Sequence, residues 1–259
     1  MDIKAKIISQ AGKIPGLGEF LRKIARGYEE GTIVKIGAGE AKGLLWQRSH
    51  QYVNGYWLGI YELELQACIA RELKSGNIFF DIGANAGFFS LIGARKVGEK
   101  GKVIAFEPLA ENVETIMVQS KLNDFSNRII VEQVALSDQE GSAKFLLHSN
   151  NSMGKLIDEG EAGSQAIMVP ISTLDRMAEK YGIPDFVKID VEGNESRVLE
   201  GAKHVLKAGK TVFLIELHNQ EQVQEVRKLL NIAGYDNFYY PDGEKITGNA
   251  LPRYVLVKK

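Results

Sequence analysis

The segment at residues 77–90, NIFFDIGANAGFFS, constrains the fold more than any other part of the chain. A short apolar run ends at Asp81, a turn containing Gly83 and Gly87 follows, and a second apolar run then has the character of a helix. Glycine lets the backbone of such a turn approach a ligand closely, because it has no Cβ. A carboxylate at the entrance of the turn does not suit a pyrophosphate, so we expect a ligand that carries positive charge.

Strand and helix patterns alternate along the chain after this segment. Apolar strand patterns lie at 78–82, 102–107, 128–134, 186–190 and 212–217, and amphipathic helix patterns lie at 87–97, 110–122, 172–181, 194–207 and 220–233. This alternation predicts an α/β fold in which helices cover both faces of a mainly parallel sheet. Two final strands, at 238–240 and 253–257, are predicted to include an antiparallel edge. Two more strands, at 144–147 and 166–170, flank a polar loop.

Residues 1–62 differ in pattern from the rest of the chain. Helical patterns end before Pro15 and near Gly27, strand-like runs lie at 32–36 and 44–47, and 50–61 is rich in aromatic residues and glycine. We predict that 1–62 form a helical and β cap on the substrate side and that 63–259 form the main ligand-binding domain. The N-terminal helices are also candidates for the contact of a homodimer.

Composition excludes several classes of partner. A charged fraction of 25% and a net charge of −1 are typical of a soluble globular protein and do not favour nucleic acid or an anionic membrane. The single cysteine, Cys68, cannot form an internal disulfide, which favours a reducing compartment. No stretch approaches the roughly 20 apolar residues of a membrane span. We therefore expect a cytoplasmic protein with no nucleic-acid or membrane partner.

The glycine turn does not match a dinucleotide site. A G-x-G-x-x-G motif that starts at Gly83 needs glycines at the positions of Asn85 and Phe88, so the NAD fingerprint fails and an NAD oxidoreductase is only a minor alternative. Glu107 ends the next strand, where its carboxylate can accept hydrogen bonds from both ribose hydroxyls of an adenosine. With Asp81, this spacing indicates S-adenosylmethionine, whose ammonium and sulfonium groups are positively charged.

Six segments resemble the FkbM-type S-adenosylmethionine-dependent methyltransferases: GYWLGIYELELQ (55–66), FFDIGANAGFFS (79–90), VIAFEPLAEN (103–112), VALSD (134–138), ISTLD (171–175) and VKIDVEGNE (187–195). The last contains the complete family pattern K-x-D-x-E-G-x-E. The resemblance implies a class I methyltransferase fold, a Rossmann-like three-layer sandwich with a seven-stranded sheet. It also implies methyl transfer, most often to a hydroxyl or carboxyl oxygen of a secondary metabolite or sugar.

Two groups of residues are predicted to bind the methyl donor. The first group comes from the strand ends and turns, with backbone atoms at the third strand holding the adenine edge: Asp81, Gly83, Ala84, Asn85, Gly87, Glu107, Pro108, Val134, Ala135 and Asp190. The second follows from the resemblance, which suggests that the aromatic segment folds over the donor. There Glu62 would share the ammonium with Asp81, and Tyr61 would cover the sulfonium by a cation–π contact.

The candidate catalytic residues are Lys188, Asp190 and His218. Lys188 and Asp190 are two apart on one strand and share a face, so Asp190 is expected to reach the cleft near the donor. The preferred alternative for Lys188 is an ion pair with Glu216 on the neighbouring strand. His218 is the best candidate for a general base, because a histidine titrates near neutrality, although a hydrogen-bonded position in the cleft wall is an equal alternative.

Metal dependence and the acceptor are left open by the sequence. Asp190, Glu192 and His218 could hold a divalent cation, but nothing in their spacing demands one, and we expect none. The leading hypothesis is O-methylation of a small molecule. Two alternatives are a glycan methyltransferase and an inactive module that only binds the donor. An RNA methyltransferase would need a basic face, which is not visible.

Overall fold

The computed structural model describes residues 28–52, 55–147, 154–157, 166–248 and 250–259. The strands within these residues are β1 (Ile33–Lys35), β2 (Leu45–Gln47), β3 (Ile78–Ile82), β4 (Lys102–Phe106), β5 (Ile129–Glu132), β6 (Ala135–Ser137), β7 (Gly141–Leu147), β8 (Gly154–Ile157), β9 (Ala166–Thr173), β10 (Phe186–Ile189), β11 (Val212–Glu216), β12 (Asn237–Tyr239) and β13 (Tyr254–Lys258).

The helices of the described residues are α1 (Leu63–Glu72), α2 (Phe88–Val97), α3 (Ala110–Leu122), α4 (Leu174–Tyr181), α5 (Glu195–Glu200), α6 (Lys203–Ala208) and α7 (Gln220–Ile232). A short 3₁₀ helix covers Tyr56–Leu58. The N-terminal helical patterns, and with them the expected homodimer contact, lie outside the described residues. None of the described helices combines the length and apolar character that crossing a bilayer requires.

Seven strands form the central sheet, in the order β12-β13-β11-β10-β3-β4-β5. The pairs among β11, β10, β3, β4 and β5 are parallel, and β13 runs antiparallel between β11 and β12. The predicted class I methyltransferase fold, including its antiparallel C-terminal edge, is therefore confirmed. Because all five parallel strands end at the same edge, the residues that follow them are brought together there.

Side chains alternate between two apolar cores along each central strand. Phe79 packs on one face with α1 and α2, and Phe80 packs on the other with α4, α6 and α7. Both rings are fully buried. The near-continuous apolar runs that predicted these strands are thus explained by burial on both faces of the sheet.

A second sheet, in the order β6-β9-β7-β8, follows β5. Its apolar side chains form a separate small core that includes Phe145, Leu156 and Val169. The sequence predicted parts of β7 and β9 but missed β6 and β8, which have three and four residues. Runs this short carry too few positions to show a period of two.

The single helix predicted at 194–207 is wrong, because the chain forms two helices that separate at Gly201. A Cβ at Gly201 would lie 2.2 Å from the carbonyl oxygen of Ser137. The Asp175 side chain accepts hydrogen bonds from the backbone N–H groups of His204 and Val205 and so caps the second helix. The close contact at Gly201 and the cap on the second helix therefore divide the predicted helix in two. Both involve distant segments, so the local pattern does not reveal them.

The predicted cap shares a core with the main domain. Trp46 and Tyr56 pack against Phe88 at the start of α2, with ring centroids 6.0 and 5.1 Å away. The side-chain amide of Asn123 also exchanges hydrogen bonds with the backbone of Leu45. Within the described residues, the segment before 63 is thus packed onto the helix layer beside β3.

Candidate active site

The carboxyl ends of β3, β4, β10 and β11 open into one cleft of about 540 Å³. Ligands of open α/β sheets bind at such an edge. One end of the cleft is formed by the glycine turn after β3 and by Glu107 after β4, and the other end by Asp190, Glu216 and Arg253. Residues of β7 and β8 complete one wall, so the second sheet contributes to the site.

The glycine turn is held tightly against the neighbouring strand. Gly83 has a φ of +74°, and a Cβ there would lie 1.9 Å from the carbonyl oxygen of Asp190. The backbone N–H groups of Gly83 and Ala84 donate to the Phe106 carbonyl at 3.1 Å. Gly87, with a φ of +82°, turns the chain into α2. Glycine is needed at 83 for both its conformation and this close approach.

Glu107 lies beside this turn with its carboxylate already oriented. Its Oε2 accepts from Asn85 N at 2.9 Å, and its Oε1 accepts from Leu109 N at 3.0 Å. Burial raises the pKa of Glu107 to about 7, although hydrogen bonds from Leu109, Asn112 and Asn85 act to lower it. The carboxylate lines the cleft, where its remaining lone pairs can accept from a vicinal diol.

Asp81 is fully buried and does not line the cleft. Ser90 Oγ donates to its Oδ2 at 2.6 Å, and Lys188 Nζ lies 3.6 Å from its Oδ1. Burial raises the pKa of Asp81, while Lys188 acts to lower it. This position does not support the prediction that Asp81 binds the donor ammonium, because the cation it faces is Lys188, its direct partner in the register of β3 and β10.

Lys188 lies between two carboxylates on the sheet. Its Nζ is 3.2 Å from Asp190 and also donates to the Gly83 carbonyl at 3.3 Å. Burial acts to lower the pKa of Lys188, but Asp190 and Asp81 raise it above its ordinary value. The predicted ion pair with Glu216 is wrong in its partner, because Glu216 is paired instead with Arg253. Lys188 is thus a buried cation that holds Asp190 in place.

Glu62, which was predicted to share the donor ammonium with Asp81, has a carboxylate oxygen available to a ligand in the cleft. It lines the cleft, Tyr254 Oη donates to its Oε1 at 3.0 Å, and its buried Oε2 has no hydrogen-bond partner within the described residues. Burial and the neighbouring Asp190 raise its pKa. The Tyr61 ring also lines the cleft, 4.9 Å from the ring of Tyr56. The arrangement presents a carboxylate and aromatic rings to a ligand on this side.

His218 is surrounded by carboxylates beyond the end of β11. Its Nδ1 donates to Oε1 of the fully buried Glu195 at 2.8 Å. Its Nε2 lies 3.4 Å from Glu192, 3.5 Å from Glu216 and 3.8 Å from Asp190. Burial acts to lower the pKa of His218, but Glu195, Glu192 and Glu216 raise it to about 9. With no cation bound among these carboxylates, the imidazole is therefore protonated at neutral pH. A protonated imidazole does not support the predicted role of His218 as a general base.

Arg253 forms the far rim of the cleft. Its Nε and Nη2 both donate to Oε1 of Glu216, and 65% of its side chain is exposed. Arg253 is also the only lysine or arginine that lines the cleft within the described residues. Its role was missed from the sequence because it lies 37 residues after Glu216 and carries no motif of its own. The antiparallel pairing of β13 with β11 brings the two together.

The remaining predicted donor residues fall into two groups. Asn85, Pro108, Val134 and Ala135 line the cleft. Ala84 and Gly87 belong to the turn and do not line it.

Backbone strain is concentrated at the site. The non-glycine residues with positive φ in the described chain are Glu62, Asn85, Asp124 and Glu192. All except Asp124 line the cleft. Such conformations cost roughly 1–3 kcal/mol each and are typical of functional sites, where the surrounding structure holds them.

Comparisons with known proteins show which sequences and structures this chain is similar to. The family model described as "Methyltransferase FkbM domain" matches residues 81–236. The hexuronic acid methyltransferase AglP of Haloferax volcanii is 28% identical over 232 residues, which cover 83% of this chain and 90% of AglP. The methyltransferase sdnD of Sordaria araneosa is 28% identical over 161 residues, covering 50% of this chain and 62% of sdnD.

Solved structures include a methyltransferase FkbM from Methylobacillus flagellatus. It superimposes with a TM-score of 0.49 and 17% identity over 70% of this chain. The present chain spans only 43% of the length of that protein.

Proposed function

The chain belongs to the FkbM family of S-adenosylmethionine-dependent methyltransferases, and we propose that its acceptor is an oxygen of a sugar acid. The observation that carries the proposal is the composition of the cleft, which Asp190, Glu192 and Glu216 line together with Arg253, the only lysine or arginine there within the described residues. AglP, the 28% identical relative, is named as a hexuronic acid methyltransferase. The acceptor class is therefore suggested both by the chemistry of the cleft and by a relative.

The donor end of the cleft fits S-adenosylmethionine. Glu107 presents an oriented carboxylate to the ribose hydroxyls, and Val134 and Ala135 offer backbone groups beside the adenine position. Oε2 of Glu62, which has no hydrogen-bond partner among the residues that the structure describes, is suited to the ammonium group. Tyr61, which also lines the cleft, can contact the sulfonium by cation–π attraction. Asp81 acts indirectly in this proposal, by holding Lys188.

Acid residues and the arginine are suited to different parts of a sugar acid. Carboxylates such as Asp190 and Glu192 accept hydrogen bonds from sugar hydroxyls. The Arg253 guanidinium presents a planar set of donors that matches a carboxylate. Its exposed side chain can bind the acceptor carboxylate at the rim while the acids orient the hydroxyls deeper in the cleft.

The chain's contribution to the reaction is mainly positioning. The bound donor supplies an electrophilic methyl group for an in-line displacement. Lys188 fixes Asp190 at 3.2 Å, and Asp190 can orient the acceptor oxygen and take its proton if that oxygen is a hydroxyl. An acceptor carboxylate needs no base. Both kinds of oxygen are compatible with a protonated His218.

The acceptor can be tested with methyl-labelled S-adenosylmethionine. The protein is incubated with paired glucuronides and glucosides that share the same aglycone, and products are identified by mass spectrometry. We expect label in the glucuronide and at least tenfold less in the glucoside. Mild alkali then releases the label from a methyl ester and leaves it on a methyl ether.

A variant of the rim arginine provides the control for this assay. Arg253→Gln should remove most of the preference for the glucuronide, while Arg227→Gln should keep it. Equal labelling of both sugars, or labelling of phenols alone, would contradict the proposed acceptor.

A further inference from the structure

The acid-rich end of the cleft has a geometry that goes beyond methyl-donor and acceptor binding. Oxygen atoms of Asp190 and Glu216 and a ring nitrogen of His218 all lie within 4.8 Å of one another. In an octahedral site with bonds of about 2.1–2.4 Å, neighbouring ligand atoms are about 3.0–3.4 Å apart and opposite ones up to about 4.8 Å apart. The separations therefore allow the three groups to be ligands of one small cation.

The orientation of the imidazole is an independent observation. Glu195 is fully buried, and its Oε1 accepts from both His218 Nδ1 and Gly193 N. Its other oxygen, Oε2, is buried without a hydrogen-bond partner within the described residues. A buried carboxylate that fixes one ring nitrogen of a histidine is the usual support of a metal-ligating imidazole. It directs Nε2 of His218 into the acid cluster.

Nε2 of His218 lies close to three carboxylates. It is 3.4 Å from Glu192, 3.5 Å from Glu216 and 3.8 Å from Asp190. These distances exceed that of an ordinary hydrogen bond. With Nε2 deprotonated, as metal ligation requires, the four groups present lone pairs to a common space without bonding to one another directly, an arrangement that a cation among them would stabilise. We propose that Asp190, Glu216 and His218 bind a divalent transition-metal ion, with Glu192 beside it and Glu195 supporting the histidine.

The mixed donor set indicates the class of ion. Carboxylates suit Mg²⁺, Ca²⁺ and Mn²⁺, whereas imidazole suits ions such as Zn²⁺ and Fe²⁺. Two carboxylates with one imidazole therefore favour an ion that accepts both, such as Mn²⁺. The sequence pointed to Asp190, Glu192 and His218 for a cation but gave no reason to include Glu216, which only the pairing of β10 with β11 brings in.

Arg253 competes with this ion for Glu216. Its guanidinium donates twice to Oε1 of Glu216, and its side chain is largely exposed. The ion can therefore displace the arginine toward solvent, where it is available to an acceptor carboxylate. Removing the arginine should therefore strengthen cation binding.

The test is a titration of the full chain with MnCl₂ after chelator treatment, without donor or acceptor, followed by the electron paramagnetic resonance signal of free Mn²⁺. We expect one saturable site. His218→Ala and Glu216→Gln should each weaken it at least tenfold. The exposed His204 supplies the control, because His204→Ala should not change the affinity. Arg253→Gln should tighten binding several-fold.

The titration can overturn the proposal in two ways. No saturable site, or equal affinity in the His218→Ala and His204→Ala variants, would overturn the proposal. If His218→Ala does not fold, as judged by circular dichroism, Glu216→Gln gives the same comparison against Glu225→Gln, because the Glu225 side chain is 46% exposed. Because the acceptor preference is measured separately, by labelling of paired glucuronides and glucosides, absence of the cation site leaves the proposed function intact, and the reverse also holds.

Discussion

Glu107 shows how burial prepares a single side chain for a ligand. Two backbone N–H groups hold its carboxylate at the edge of the cleft, yet burial still raises its pKa to about 7. Donated hydrogen bonds from ribose hydroxyls favour the ionised form. Binding of an adenosine at this position therefore releases a proton wherever Glu107 is protonated in the free protein.

We predict that affinity for S-adenosylhomocysteine rises as pH increases through about 7 and levels off above it, because the ionised Glu107 is the binding form. Glu107→Gln should weaken binding by about 1.5–3 kcal/mol, roughly 10- to 100-fold, and remove this dependence. Calorimetric titration from about pH 6 to about pH 8.5, which spans the ionisation of this carboxyl group, checks both. The exposed Glu114→Gln is the control, and a pH-independent affinity in the native protein would contradict the assignment.

Substitutions of Asp81 and of Glu62 should affect different properties, the first stability and the second donor binding. Asp81→Asn breaks a buried ion pair with Lys188 and should lower the free energy of unfolding by up to about 3–5 kcal/mol. Glu62→Gln should change stability by about 1 kcal/mol or less but weaken S-adenosylhomocysteine at least tenfold, since it removes the carboxylate beside the donor ammonium. Urea unfolding and calorimetry measure the two effects. Full donor affinity in Glu62→Gln would exclude it as the ammonium partner.

The difference between the expected and observed surroundings of Asp81 has a simple physical origin. Its position near the end of a strand indicated a carboxylate near the cleft. The turn that follows does reach the cleft, at Gly83, but the Asp81 side chain does not line it. Which cation that carboxylate meets depends on the register between β3 and β10, which pairs Asp81 with Lys188. No pattern within either segment specifies that register, so the sequence could supply the residue types at the site but not their pairing.

The glycine turn after β3 requires a residue without a Cβ at position 83. Gly83→Ala should both strain the left-handed backbone and place a Cβ 1.9 Å from the Asp190 carbonyl, pushing β3 from β10. Gly76→Ala has the same kind of backbone, with a φ of +89° and open space around the Cβ. It should cost about 1 kcal/mol and leave donor binding unchanged.

Thermal unfolding and calorimetry with S-adenosylhomocysteine compare these two glycine variants. We expect Gly83→Ala to lose donor binding and to be less stable than Gly76→Ala. Equal behaviour of the two would mean that the close approach of the turn to β10 has no role in the site.

The elements themselves were predicted unevenly, for identifiable reasons. The strand at 78–82 is observed with the predicted bounds as Ile78–Ile82, because it is apolar on both faces and ends at a glycine turn. The short strands β6 and β8 were missed, and the helix at 194–207 was not divided at Gly201. For that helix, the deciding contact comes from a distant segment, Ser137 against Gly201.

At the scale of the whole molecule, strand order decides which residues meet. The order β13-β11-β10-β3-β4 gathers residues from separate parts of the chain at one edge of the sheet: Asp81, Glu107, Asp190, His218 and Arg253. Glu62 joins them from the segment before α1. The alternating pattern was sufficient to predict a parallel sheet and hence an edge where ligands bind. The division of the cleft into a donor end and an acid-rich end required the three-dimensional arrangement of the acids and Arg253.

We propose that one cleft holds the methyl donor between Glu107 and Glu62 and directs its reactive end toward Asp190. A crystal structure of the protein with S-adenosylhomocysteine tests it most directly. We expect the ribose hydroxyls within hydrogen-bond distance of Glu107, the amino group at Glu62, and the sulfur facing the Asp190 end of the cleft. A ligand bound elsewhere, or an amino group in direct contact with Asp81, would contradict it.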